Sequence, residues 1–144
     1  MDENEATDLL GKGEYGVLGA EAPDGGTYTV PLNYCVVDGR IYFHCAQEGF
    51  KIECLKANPK VSFCVVGRAE VIPEDFTTLY ESCIVHGAAF EAVGEEKRLA
   101  LEGLISKYSA DFAEEGHRYI DRLFDKTRVF GIAIDAITGK ANRR

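Results

Sequence analysis

Tryptophan is absent from this chain, methionine occurs once, and only three histidines and four prolines are spread over 144 residues. The shortage of histidine limits metal ligation. The five cysteines, Cys35, Cys45, Cys54, Cys64 and Cys83, include no C-x-x-C pair. Cys83-x-x-His86 comes nearest to a metal spacing, but no second pair completes a tetrahedron, so no metal site is expected. An odd cysteine count without paired spacing reads as free thiols serving as small buried hydrophobes in a reducing compartment. Positive charge is also short: 16 Lys and Arg face 24 Asp and Glu, a formal net charge of −8. Such a surface repels nucleic-acid phosphates, and basic residues gather only in the tail from Lys140 to Arg144. No apolar run approaches the roughly 20 residues of a membrane helix. The start, Met1-Asp2-Glu3-Asn4-Glu5, is acidic where a secretion signal is basic. A cytoplasmic protein without nucleic-acid or membrane partners is therefore expected, folding as one domain over residues 1–144.

What is present is a succession of short strands and turns. Ala6, Leu9 and Leu10 predict an amphipathic helix from Glu5 to Lys12, stopped by Gly13. Tyr15 to Ala20 reads as a strand, Pro23-Asp24-Gly25-Gly26 as a turn, and Thr27 to Val37 as the next strand. Asp38-Gly39 favours a two-residue type I′ turn, so Arg40 to Ala46 returns antiparallel. Pro31 cannot donate to a ladder and marks an edge or a bulge, leaving nearby backbone free for a flat ligand. Further strands are expected at Lys60–Gly67, continuing to Ile72, at Ser82–Val93 and at Arg128–Ile137, with a helical connector over Glu74–Tyr80. Two helices complete the set: Glu95–Tyr108, with a stripe of Leu99, Leu101, Leu104 and Ile105, and Glu114–Phe124. The pattern predicts an α+β fold, a mainly antiparallel six-stranded β-barrel with flanking helices.

Chemistry concentrates between Tyr42 and Glu53. Phe50–Ala57 predicts a short helix ended by Asn58-Pro59, and Lys51 stands in its first turn, where the helix dipole disfavours a cation. A lysine there is best accommodated with an anion between it and the backbone amides, and Gly49 lets the backbone approach that anion closely. Phosphate fits, with His44 and Cys45 at the mouth of the same turn. The plain alternative is a solvated surface lysine and a strand histidine bonded to backbone.

Three stretches in order, Tyr28-Thr29-Val30-Pro31-Leu32-Asn33-Tyr34, Asp38 through Lys51, and Asn58-Pro59-Lys60-Val61-Ser62-Phe63, resemble successive signatures of the FMN-binding split-barrel proteins. Within that pyridoxamine 5'-phosphate oxidase-related superfamily the chain is most similar to the Nim-type nitroimidazole-resistance proteins. The resemblance extends to Ile132-Ala133-Ile134-Asp135 and Ile137-Thr138-Gly139-Lys140. It implies a homodimer with FMN at the subunit interface. Lys51 with the turn comprising Phe43, His44, Cys45, Ala46 and Gly49 would hold the phosphate. The backbone of Val30, Pro31, Leu32 and Asn33 would bond the flavin edge, with Tyr34 or Phe63 bordering it. For Phe63, core packing is an equal alternative. An active-site role for His44 is likewise implied, with a phosphate contact as the alternative. The implied activity passes electrons from a reduced donor to a small acceptor such as a 5-nitroimidazole. The other readings are a non-catalytic flavin carrier or sensor, and a flavin-free barrel for another phosphate-bearing or tetrapyrrole ligand. Two departures count against oxidation of pyridoxamine phosphate: Phe50 stands where the oxidases carry a second basic residue, and the basic segment before the first helix of the Nim pattern is missing.

Overall fold

In the computed structural model, which describes residues 1–144, the stretch from Thr27 to Val37 forms two strands rather than one. The sheet therefore has seven strands, not six: β1 Gly16–Glu21, β2 Thr27–Leu32, β3 Cys35–Val37, β4 Arg40–Cys45, β5 Lys60–Ile72, β6 Thr77–Ala92 and β7 Arg128–Asn142. Pairing is antiparallel throughout, in the order β2-β1-β5-β6-β7-β4-β3. β2 and β3, separated only by Asn33 and Tyr34, thus lie at opposite edges of the sheet. Three chain steps of about 3.6 Å hold those edges within about 11 Å at that corner, so the sheet curls into a barrel split between β2 and β3. Pro31 lies on an edge strand, where its missing N–H costs nothing.

Four helices flank the sheet: α1 Glu3–Lys12, α2 Phe50–Ala57, α3 Gly94–Tyr108 and α4 Ala113–Leu123. α1 starts two residues earlier than its apolar pattern because Asp2 and Glu5 form a capping box, each carboxylate accepting from the other's backbone N–H. The Asp38-Gly39 turn has positive φ at both residues, as expected. The helical connector placed over Glu74–Tyr80 shrinks to one turn at Pro73–Asp75. Thr77-Thr78-Leu79-Tyr80, β-branched and aromatic, pair instead with Ile72 to Ala69 and extend β6. On α3 the buried stripe is Ala100, Leu101 and Leu104; Leu99 faces away and is 42% exposed. No helix is long and apolar enough to cross a membrane.

Two apolar clusters result. The barrel interior holds Tyr34, Phe43, Phe63, Val65, Val85 and Ile132, joined by Leu9 and Leu10 of α1. Outside the β4–β7 wall, Tyr42 and Val129 pack with Ala100, Leu101 and Leu104 of α3 and Ile120 of α4. Alternation along β4 therefore sends Phe43 inward and Tyr42 toward the helices.

The sheet bends where β6 and β7 shift register between His86 and Gly87. A Cβ on Gly87 would lie 2.2 Å from the Ala133 carbonyl oxygen, so only glycine allows this approach. Gly87→Ala is expected to cost about 1–3 kcal/mol, read as a lower urea midpoint with an unchanged m-value.

Candidate functional site

α2 begins without help from any side chain. Its N-cap is Gly49, with φ +156° and ψ 167°, and no side chain accepts from its first amides. Nothing lies within 4 Å of a Cβ built on Gly49, so the backbone conformation alone demands glycine. Lys51, half-buried in the first turn, has its Nζ 5.8 Å from the centre of the Phe43 ring. It belongs to none of the seven ion pairs of the chain. An uncapped helix start and a lysine without a carboxylate leave the first N–H groups of α2 and the Lys51 ammonium without a side-chain partner.

The loop feeding this helix is held by a residue the sequence analysis passed over. Arg128 opens β7 opposite Cys45. Its guanidinium donates twice to Glu91, at 2.7 and 2.9 Å, and once to the Gln47 carbonyl at 3.2 Å. The Gln47 side chain donates to the Asp125 carbonyl at 2.8 Å. The Arg128 hydrogen bonds hold the Glu91 carboxyl below its usual range. Arg128, paired with Glu91, thus ties the turn to β7, while Phe50 turns its ring against Tyr28 at 5.1 Å. A basic residue opening an otherwise apolar strand was the available signal. Burial pushes the Cys45 thiol up, and Lys51 and Arg128 pull the other way, so Cys45 stays a protonated thiol lying in the field of both cations.

Other expected site residues divide by depth. Tyr34, Phe43 and Phe63 have fully buried side chains, and the Tyr34 and Phe63 rings meet edge to face at 5.0 Å. Any ligand at those positions meets backbone, because the rings are core. Leu32 is buried, Val30 half-buried, and Pro31, Asn33, Ala46 and Gly49 are exposed. Tyr108 fastens the split: its hydroxyl accepts from the Tyr34 N–H at 3.1 Å and lies 2.5 Å from the Glu14 carbonyl.

His44 and Lys51 do not stack against one another. His44 lies on the α3–α4 side of β4, at the mouth of a cavity of about 130 Å³ lined by Leu101, Leu104, Ile105, Tyr119, Ile120, Leu123 and Thr127. Lys51 lies by Phe43, on the other side of the strand. Their charges still interact: desolvation by the neighbouring elements, and then Lys51, push the exposed His44 imidazole below its usual 6.5.

A family model described as pyridoxamine 5'-phosphate oxidase matches residues 2–141. The chain belongs to the pyridoxamine 5'-phosphate oxidase-related family. No curated protein matches it. Among solved structures, a candidate 5-nitroimidazole antibiotic resistance protein from Bacteroides thetaiotaomicron is similar at 23% identity and a TM-score of 0.76, over 96% of this chain and 82% of that one. An FAD-binding protein from Mesorhizobium loti is similar at 25% identity and a TM-score of 0.70, over 99% and 96%. An FAD and heme binding protein from Mycobacterium smegmatis shares the fold at 16% identity and a TM-score of 0.85, over 99% and 72%. For this member of the oxidase-related family, the open α2 start with Lys51 fits a phosphate-bearing flavin.

The sign of the His44 titration follows from its surroundings. With the folded pKa below 6.5, the unfolded chain takes up the proton first, so stability falls as pH drops from 6.5 toward the folded value. NMR titration of the His44 ring should give a midpoint below 6.5, and Lys51→Ala should raise it. A midpoint unmoved by that substitution would disprove the coupling.

Proposed function

We propose that this protein binds FMN and passes electrons from a reduced donor to a small acceptor, for which a 5-nitroimidazole is the leading class. The observation that carries the reading is Lys51: a half-buried cation in the first turn of an uncapped helix, without a carboxylate partner. One cation at one helix start can seat a flavin phosphate, and FMN is the flavin that the sequence resemblance implies. Family membership and the similarity to a candidate 5-nitroimidazole resistance protein support the same direction. When bound, the flavin supplies the hydride and electron transfer.

The chain's own residues bind and orient. Lys51 and the amides after Gly49 hold the phosphate, and Arg128 keeps the loop from Cys45 to Gly49 in place through Gln47. The exposed backbone around Pro31 and Asn33, on an edge strand with unpaired groups, meets the polar edge of the ring system. His44, with its pKa lowered, is mainly neutral at pH 7 and offers one N–H to an acceptor. A homodimer belongs to this proposal. Val66 and Ile84, 54% and 41% exposed, lie with the half-buried Cys64 on the outward face of β5 and β6, a surface suited to a second copy.

Purified protein should be yellow, or should take up FMN on titration, and should sediment as a dimer. Lys51→Ala is expected to weaken FMN binding about tenfold or more, since a charge-assisted hydrogen bond contributes about 1.5–3 kcal/mol. His44→Ala should keep FMN and lose anaerobic turnover of a nitroimidazole or quinone panel. A colourless protein that ignores FMN sinks the cofactor assignment. FMN binding with no turnover above free FMN leaves a flavin carrier instead of an oxidoreductase.

A further inference from the structure

The cavity beside His44 has features of a small ligand site that the flavin reading alone does not use. Six of its eight lining residues are apolar, and the polar pair, His44 and Thr127, sit at one side. Its volume of about 130 Å³ is close to the roughly 150 Å³ that admits one benzene ring in an apolar interior. The walls are fixed at both ends. At one end Gly116 lets α4 press onto α3, where a Cβ would stand 2.7 Å from the Ile105 side chain. At the other end Lys97 Nζ donates to the Phe124 carbonyl at 2.6 Å, and Arg98 pairs with Asp121 at 2.6 Å. Two helices pinned on either side of a gap make a pre-formed slot.

α3 borders both the slot and the split of the barrel. The ladder of β3 on β4 ends at Cys35 opposite Tyr42, two residues before His44 along β4. The α3 face that supplies Leu101, Leu104 and Ile105 to the slot ends at Tyr108, whose hydroxyl accepts from the Tyr34 backbone. Slot and split are therefore linked through α3. No group of the chain takes a hydrogen bond from the His44 imidazole, which leaves its N–H for a guest.

We propose that the slot between α3 and α4 beside His44 binds the ring of the electron acceptor, and that it takes one five- or six-membered aromatic ring bearing a hydrogen-bond acceptor. Leu104, Leu123 and Tyr119 then set the size limit. This rests on the flavin reading for the role of the guest, while the slot itself is testable without flavin.

The test is an NMR titration of the full-length protein, as purified, with 1-methylimidazole, benzene and naphthalene, following the methyls of Leu101, Leu104, Ile105 and Leu123. Both single-ring probes should shift these methyls and naphthalene should not. Leu123→Trp, which fills the slot, should weaken both single-ring probes at least tenfold. Tyr119→Ala, at a residue 55% exposed and so safe for folding, should admit naphthalene. His44→Ala should weaken 1-methylimidazole about two- to tenfold, the equivalent of one net hydrogen bond, and leave benzene unchanged. Naphthalene binding to the native protein as well as benzene does, or shifts indifferent to both slot variants, overturns the proposal. Repeating the titration with saturating FMN separates the two readings. Probe binding retained beside FMN supports the acceptor role, and displacement by FMN overturns it. Probes that bind while FMN does not refute the flavin reading and the acceptor role together, with the ring pocket standing.

Discussion

Everything in this fold depends on a two-residue link. Asn33 and Tyr34 join strands that pair at opposite edges of one sheet, so the chain cannot satisfy both pairings without curling the sheet until its edges almost meet. Tyr34 makes the link rigid. Its ring is fully buried, its hydroxyl donates to the Leu10 carbonyl, and its backbone N–H donates to Tyr108. α1, the split and the end of α3 are thereby tied at one place. Lys107 adds to the knot: its Nζ sits 3.6 Å over the Tyr34 ring, buried without a hydrogen-bond partner, so that the aromatic face is its compensation. Burial without a partner pushes that amine below its ordinary range.

The buried side of this arrangement takes the aromatic side chains. The rings of Tyr34, Phe43 and Phe63 fill the barrel, and what they leave at the surface is backbone: an edge strand at Pro31 and an uncapped helix start at Gly49. Backbone amides are fixed dipoles that need no rearrangement to meet an anion or a flat polar edge. In a chain of net charge −8, the few cations near them matter more than their number suggests. Arg128 is neutralised by Glu91 and serves geometry, whereas Lys51 keeps an unpaired charge.

β4 separates two environments over three consecutive residues. Phe43 belongs to the barrel core; Tyr42 and His44 face the helices, and Tyr42 donates to Glu96 at 3.0 Å. A strand with period two thus turns one face toward Phe43 and Lys51 and the other toward the apolar slot. That is how His44 and Lys51 remain within electrostatic reach, lowering the imidazole pKa, without sharing a contact.

Much of this was legible before any coordinates. The hairpin at Asp38-Gly39, the bounded helix after Gly49 and the anomaly of Lys51 in its first turn are local, decided by backbone preference and helix electrostatics within a few residues. The connector over Glu74–Tyr80 was misread because pairing with β5 outweighed its turn-like start, and Leu99 because its neighbours on α3 face the sheet instead. Three things lay beyond local chemistry. The division of residues 27–37 into two strands depends on partners found far along the chain, β1 for one and β4 for the other. Arg128 reaches Gln47 across 81 positions, and no spacing rule marks it. His44 turns toward a slot whose walls come from α3 and α4, so its surroundings exist only after the helices have packed. Sequence determined most of the elements and the place of Lys51 at the start of α2, because both follow from forces acting within a turn or two. Tertiary structure decided which edges meet, which cation holds the loop and what His44 faces, because those are set by pairings between distant residues.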